Sequence, residues 1–340
     1  MTAELKQRSR EVRLRRHLDG ELTPDHFEIV ENELPDGEVL VRTDYVHLAA
    51  AFKDLMRADC SLPMPPYQVG GRVGGGAIGT VVRSNSPALA VGDTVQSFTG
   101  WGEYAAGGAA QFHRLEPDLF PSPAYYLSQG PTAYYGMVDI AEVGPGDVVF
   151  VSGAAGGVGS LAGQIAKCRG ASRVIGSAGS PAKVAYLVEE LGYDAAFDYH
   201  DGPVVEQLRT LAPDGITVFF DNVGGEQFEA AVEVAARGAR FALCGALAAQ
   251  AGDGQDPMAG FPRLDVLTAI TKLLQLRPFA CYHLPDQLAA WGKSFGSWLA
   301  EGRFVYPHSV LDGGIEQAPS ALIGLLDGQY TGNVTLRIAA

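Results

Sequence analysis

Asp147-Val148-Val149-Phe150-Val151-Ser152 is a nearly unbroken apolar run, and Gly153-Ala154-Ala155-Gly156-Gly157-Val158-Gly159 follows it at once. Leu161 to Lys167 then spaces its apolar residues as a helix does. A buried strand, a glycine turn and a helix in that order form an anion site. The glycines let the backbone approach a pyrophosphate, and the free amides at the helix start attract it. Ala154 stands where the first glycine of a GxGxxG fingerprint would be. Gly156, Gly157, Val158 and Gly159 are therefore the expected pyrophosphate contacts, against the plainer reading of an ordinary strand-to-helix turn.

Charge selects the nucleotide. An NAD site expects Asp or Glu about 20 residues past the glycines, to accept hydrogen bonds from the ribose hydroxyls. No acid occurs from Val148 to Val188. The expected second strand, Arg173 to Gly176, runs into Ser177-Ala178-Gly179-Ser180-Pro181-Ala182-Lys183. Ser180 before Pro181 reads as an N-cap and first helical residue, which places Lys183 in the first turn. A cation there opposes the helix dipole unless an anion lies between them. The 2'-phosphate of NADPH resolves that conflict; the alternative is an exposed lysine without a role.

A second glycine run, Gly74-Gly75-Gly76-Ala77-Ile78-Gly79, matches the fingerprint literally but leads into Thr80-Val81-Val82-Arg83-Ser84, a strand. Without a helix start it reads as tight turns in a β-rich domain. Of the possible metal ligands only Cys281 and His283 lie close together, short of the three a catalytic zinc needs, and they read as strand-end side chains. No GxSxG nucleophile elbow is present.

The elements that must position these residues fall in two groups. Residues 28–116 read as short strands broken by turns, and from about Tyr125 strands alternate with helix-length segments, the pattern of a parallel sheet. Strand character returns near Phe304 and ends in Asn333-Val334-Thr335-Leu336-Arg337-Ile338. The expected architecture is α/β: a β-rich domain of residues 1–122 completed by 304–340, and a doubly wound domain of 123–303. Ala248 to Gly260 reads as a surface loop. With 340 residues, 47% hydrophobic and 19% charged, the chain can bury a core for roughly two domains. Its net charge of -14 repels nucleic-acid backbones and anionic lipid, so a small-molecule substrate is the expected partner. Four scattered cysteines, and no apolar run near the ~18 residues of a membrane span, indicate a reducing cytoplasm. The basic start, Lys6 to Arg16, reads as a solvated strand or arm at a domain edge.

These motifs resemble the zinc-independent medium-chain dehydrogenases/reductases, in the group of prostaglandin reductases, leukotriene hydroxydehydrogenases, curcumin reductase and alkenal double-bond reductases. The likeness runs over nearly the whole chain: Arg13-Leu14 to Asp19-Gly20, Gly130-Pro131-Thr132-Ala133-Tyr134-Tyr135-Gly136, the glycine turn, Lys183 to Tyr199, Phe220 to Gly225, Cys244-Gly245-Ala246 and Ala321 to Gly328. It implies a GroES-like β-barrel around a Rossmann domain, a homodimer, and NADPH-dependent reduction of the double bond of α,β-unsaturated carbonyl compounds. It assigns cofactor contact to Gly179, Ser180, Lys183, Tyr199, Asn222, Cys244, Gly245, Phe279 and Cys281.

The substrate side departs from the pattern. Residues implied at the pocket are Ala51, Phe52, Gln250, Tyr282 and Tyr330. Ala51 and Gln250 align with family tyrosines, and Tyr330 with an asparagine. An opened pocket with fewer hydroxyls suits a bulkier ligand, and no catalytic residue is assigned. Tyr282, His47, a water or the cofactor's ribose hydroxyl could each stabilise an enolate. Two other readings stand beside alkene reduction: a reductase of quinones or bulky natural products, and a non-catalytic NADPH-binding sensor or structural protein.

Overall fold

In the computed structural model, which describes residues 7–60, 62, 64–116, 119–250 and 260–338, the chain forms two units. One is Met1–Ser128 with His308–Ala340, and the other is Gln129–Pro307. They divide a few residues beyond positions 122 and 303.

The first unit begins with β1 (Arg8–Leu14), β2 (Phe27–Glu33), β3 (Val39–Leu48), β4 (Ala77–Ser84), β5 (Thr94–Ser97), β6 (Tyr104–Gly107) and β7 (His113–Arg114). The basic start is therefore largely a strand. Val12 and Leu14 of β1 are buried, while Arg10 pairs with Glu103 at 2.7 Å and Arg13 with Glu11 at 2.6 Å. Gly79 lies inside β4, where a Cβ would meet the Arg42 carbonyl at 2.2 Å. The last glycine of the second run is thus spent on strand packing.

The second unit carries β8 (Val148–Val151), β9 (Arg173–Ala178), β10 (Ala195–Asp198), β11 (Ile216–Asp221), β12 (Ala235–Leu243) and β13 (Gln275–Pro278). They form one parallel sheet in the order β10-β9-β8-β11-β12-β13. This is the dinucleotide-fold order, and the direction of winding reverses between β8 and β11. The strands are apolar because helices cover both faces of such a sheet. Phe150 and Phe219, both fully buried, stack across β8 and β11 at 5.0 Å. Helix α1 (Gly159–Cys168) follows β8 and α2 (Pro181–Glu189) follows β9.

The chain returns to the first unit as β14 (His308–Leu311) and β15 (Asn333–Arg337). The larger sheet of that unit runs β14-β15-β3-β4-β5-β7, with β6 also on β3. Buried Trp101, Leu48, Leu322 and Leu336 share its core.

Three sequence expectations need correction. The second strand of the parallel sheet continues through Ala178 instead of ending at Gly176. The returning strand starts at His308, not near Phe304, because Phe304 is buried against Trp291, Phe295 and Trp298. Of the loop expected at 248–260, Ala248 to Gln250 complete a short helix, Leu247–Gln250; residues 251–259 lie outside the described residues.

Candidate cofactor site

The turn after β8 is shaped by backbone that only glycine accepts easily. Gly153 has a φ of 58°, in the left-handed region. A Cβ on Gly157 would fall 2.0 Å from Gln129 Oε1, and one on Gly159 would fall 2.5 Å from the Gly153 carbonyl. The Gly156 amide donates to Gly153 O at 3.1 Å, and Ser160 N to Gly156 O at 3.0 Å. Two bonds hang the turn on β9: Ala154 N to Ser177 O at 2.8 Å and Gly153 N to Ser177 Oγ at 3.2 Å. Val158 is the N-cap of α1 and provides no side-chain cap. The helix start keeps the electrostatic need for an anion that its orphan amides create. Farther along α1, the Tyr193 ring would lie 2.0 Å from any Cβ on Gly163, and its hydroxyl donates to Gly159 O at 2.7 Å.

The end of β9 gathers the second group. Gly179 leads to Ser180, whose extended backbone (φ -165°) and hydroxyl, accepting from Lys183 N at 3.4 Å, cap α2. Pro181 is the first helical residue, and no acid occupies the first turn. Lys183 is half-buried, and burial pulls its ammonium pKa down. A cation at a helix start opposes the helix dipole, and an anion bound there would relieve that opposition. Tyr199, after β10, donates its amide to Ala178 O at 3.1 Å. Its hydroxyl sits 2.9 Å from where a Gly179 Cβ would be. The fold thus brings Gly179, Ser180, Lys183 and Tyr199 to one edge.

The ends of β11 and β12 form the third group. Buried Asp221 Oδ1 accepts from Ser152 Oγ at 2.7 Å, Val223 N at 3.0 Å and Gly224 N at 2.9 Å. Burial raises its pKa against these three donors. Asn222 is tied to the end of β8, its amide giving to Ser152 Oγ and its Nδ2 to Ser152 O, both at 2.8 Å. Both strands at the winding reversal are therefore clamped together at the point where ligands bind in such sheets. Cys244 N and Gly245 N donate to Asp221 O at 2.9 and 3.0 Å. The Phe279 ring packs on Phe220 and Tyr135, at 6.1 and 5.8 Å between centroids. Cys281 Sγ reaches Gln287 Oε1 at 3.4 Å. Burial pushes the Cys244 thiol up to about 12 and raises that of Cys281, so both are held as thiols. Nearby, His283 Nε2 is 3.3 Å from Thr132 Oγ1, and burial lowers the pKa of its ring.

The pocket candidates divide between the units. In the first, Ala51 is exposed ahead of a one-turn helix, Phe52–Leu55. Phe52 is a core residue, buried against His47, Tyr67 and Trp101. Tyr330 is half-buried on the same core. In the second, Gln250 ends its short helix half-buried, and Tyr282 is exposed.

Sequence reasoning missed Ser152, Asp221, Ser177 and Gln129, which brace the glycine turn and the clamp. Ser152 ends the apolar run and Asp221 ends the fourth strand of the sheet, so the ends of apolar strands were their signal. Their mutual contact, 69 positions apart, has none. Among the described residues no three His, Cys, Asp or Glu side chains gather as a metal ion would need.

Residues 10–115 match the family model described as the N-terminal domain of oxidoreductase, and residues 157–290 match the model described as zinc-binding dehydrogenase. The NADPH-dependent curcumin reductase of Escherichia coli is 33% identical, over 98% of this chain and 98% of its own length. Mouse prostaglandin reductase 1 is 32% identical, over 95% and 97%. The crystal structure of CurA from Vibrio vulnificus in complex with NADPH superimposes with a TM-score of 0.89 at 30% identity, covering 97% of this chain and 99% of that one. With such identity along almost the full length of both relatives, the chain belongs to the zinc-independent medium-chain dehydrogenases/reductases, in the group of the curcumin and prostaglandin reductases.

Proposed function

We propose that this chain is an NADPH-dependent oxidoreductase that reduces the C=C bond of an α,β-unsaturated carbonyl compound. One observation carries the reading: the glycine turn at the winding reversal stands beside a second crossover whose first helical turn holds a half-buried lysine and no acid. Gly156 to Gly159 hold the pyrophosphate, while Gly179, Ser180, Lys183 and Tyr199 hold the 2'-phosphate. Asn222, Cys244, Gly245, Phe279 and Cys281, at the ends of the central strands, flank the nicotinamide half.

Bound NADPH supplies a hydride for the β-carbon of the substrate. The protein positions that donor and keeps thiols near it protonated, so that an electrophilic alkene meets a hydride source and not a thiolate. The test is NADPH consumption with a panel of enones, enals and quinones, with product analysis. Turnover of quinones alone would replace the alkene reading, and no turnover with intact NADPH binding would support a sensor.

The same reading makes the enzyme a cytoplasmic homodimer. Its support is the helix Val266–Lys272, which leaves Val266, Leu267 and Ile270 exposed beside the edge strand β13. Light scattering on the purified protein checks the oligomeric state. All four cysteines are free, and no helix among the described residues is long and apolar enough to cross a membrane.

A further inference from the structure

The glycine turn is held from two sides. On one, Ser177 of β9 accepts twice, through its carbonyl from Ala154 N at 2.8 Å and through its hydroxyl from Gly153 N at 3.2 Å. On the other, a Cβ on Gly153 would stand 3.1 Å from Val223 Cγ2 and 3.7 Å from Asn222 Cβ, just past the end of β11. β9 and β11 are the two neighbours of β8, so the turn leaves the sheet between them. A serine hydroxyl carries a single hydrogen and can rotate it. Were that hydrogen aimed at the Gly153 amide, donor would face donor and the bond would be lost. The chain settles the direction from 50 positions away, because Ser177 Oγ donates to Gln227 Oε1. Gln227 lies in the first turn of the helix Gly225–Val234, which follows β11. Ser177 is fully buried and Gln227 is 5% exposed, so this bond is made away from bulk water, where an unmet polar group is costly. It joins β9 to the helix after β11, the elements on either side of β8.

We propose that Gln227 is a positioning residue for the pyrophosphate: by taking the Ser177 hydrogen it leaves a lone pair for the Gly153 amide, and so holds the turn in the shape that Gly156 to Gly159 present to the anion. The inference rests on the reading of Gly156 to Gly159 as the pyrophosphate site. A pyrophosphate is common to NADPH and NADH. Gln227 therefore serves the binding of either cofactor, whereas Lys183 serves discrimination between them.

The experiment measures dissociation constants of NADPH and NADH by nicotinamide fluorescence on the full-length protein. Displacement of NADPH gives that of adenosine 2'-monophosphate, which carries the 2'-phosphate and no pyrophosphate. Gln227→Met keeps the length of the side chain and removes its acceptor. It should weaken NADPH and NADH alike, by about fivefold, the scale of one hydrogen bond, and leave adenosine 2'-monophosphate unchanged. Ser177→Ala should show the same pattern, and the double variant should lose no more than Ser177→Ala, because Gln227 acts only through that hydroxyl. Unchanged binding of adenosine 2'-monophosphate also shows an intact fold, and Gln227→Asn, too short to reach Ser177, replaces the methionine variant if that fails to fold. Undiminished affinity for both cofactors overturns the proposal, as does a double variant weaker than Ser177→Ala by the full Gln227→Met factor. Equal weakening of all three ligands would make Gln227 a support of the fold and overturns it too. Gly156→Ala separates the two levels, since a Cβ there meets nothing nearer than the Gly153 carbonyl at 3.4 Å and the protein itself accepts it. If Gly156→Ala weakens both cofactors and Gln227→Met neither, only the glutamine role is wrong; if neither variant weakens them, the pyrophosphate reading itself is wrong.

Discussion

Under the proposed assignment, Lys183 is the residue on which cofactor choice turns. Its ammonium is half-buried at a helix start with no acid in the first turn, where it opposes the helix dipole. Charge-assisted hydrogen bonds contribute roughly 1.5 to 3 kcal/mol, or about tenfold to a hundredfold in affinity. Lys183→Ala should weaken NADPH binding by that order, leave NADH nearly unchanged, and show a smaller difference at high salt. Equal weakening of both cofactors would make the lysine a support of the fold. Glu11 shows the converse situation in the first unit. Burial raises its pKa, but Arg72, bonded through Nε at 2.7 Å, and Arg13, at 2.6 Å, prevail and hold it below the ordinary glutamate value. A depressed carboxylate stabilises the fold fully above its unfolded pKa, and that contribution is lost as pH falls through the folded value. Acid unfolding of the wild type should therefore steepen below the ordinary glutamate range, and Glu11→Gln should be less stable at neutral pH with a flatter acid limb. Identical acid limbs in thermal melts would contradict this.

At the scale of elements, the contact of α1 with its surroundings is as closely fitted as the turn that precedes it. Tyr193, fully enclosed, fills the space that Gly163 leaves, and burial drives its hydroxyl pKa far upward. Tyr193→Phe keeps the ring but removes the hydroxyl that donates to Gly159 O, and should cost about 1 kcal/mol in denaturant unfolding. Gly163→Leu would drive a side chain into the enclosed Tyr193 ring, displacing the ring or the helix, and should lower both folding yield and NADPH binding. A normal melt for that variant would show that the helix can shift freely. The glycine turn, the cap at Ser180 and Lys183's place in the first turn were legible because each depends on residues within a few positions of one another. The ends of β9 and β14 were less so: Ser177 and Ala178 extend a strand through pairing with β10, and Phe304 reads as strand-like although tertiary packing claims it. The Ser152–Asp221 clamp and the burial of Phe52 depend on contacts between distant segments, for which local pattern carries no mark.

For the whole molecule, the decisive feature is that β15, which follows every strand of the parallel sheet, pairs antiparallel with β3, Val334 facing Leu48 and Leu336 facing Val46. Both Val334 and Leu336 are buried in the core of the first unit. Every strand of the parallel sheet, by contrast, lies between Val148 and Pro278. A variant ending at residue 332 should therefore still bind NADPH through the second unit, with a lower melting temperature and exposed apolar surface from the first; loss of NADPH binding together with all helical signal would mean that the two units fold only together. During translation the consequence is one of timing. The parallel sheet can close while synthesis continues, but β3, held on one side by β4, waits with an open edge at Tyr45 to Leu48 until β15 is made. Chains that stop before Asn333 carry that unpaired strand edge, and with it an aggregation hazard that the folded unit does not have.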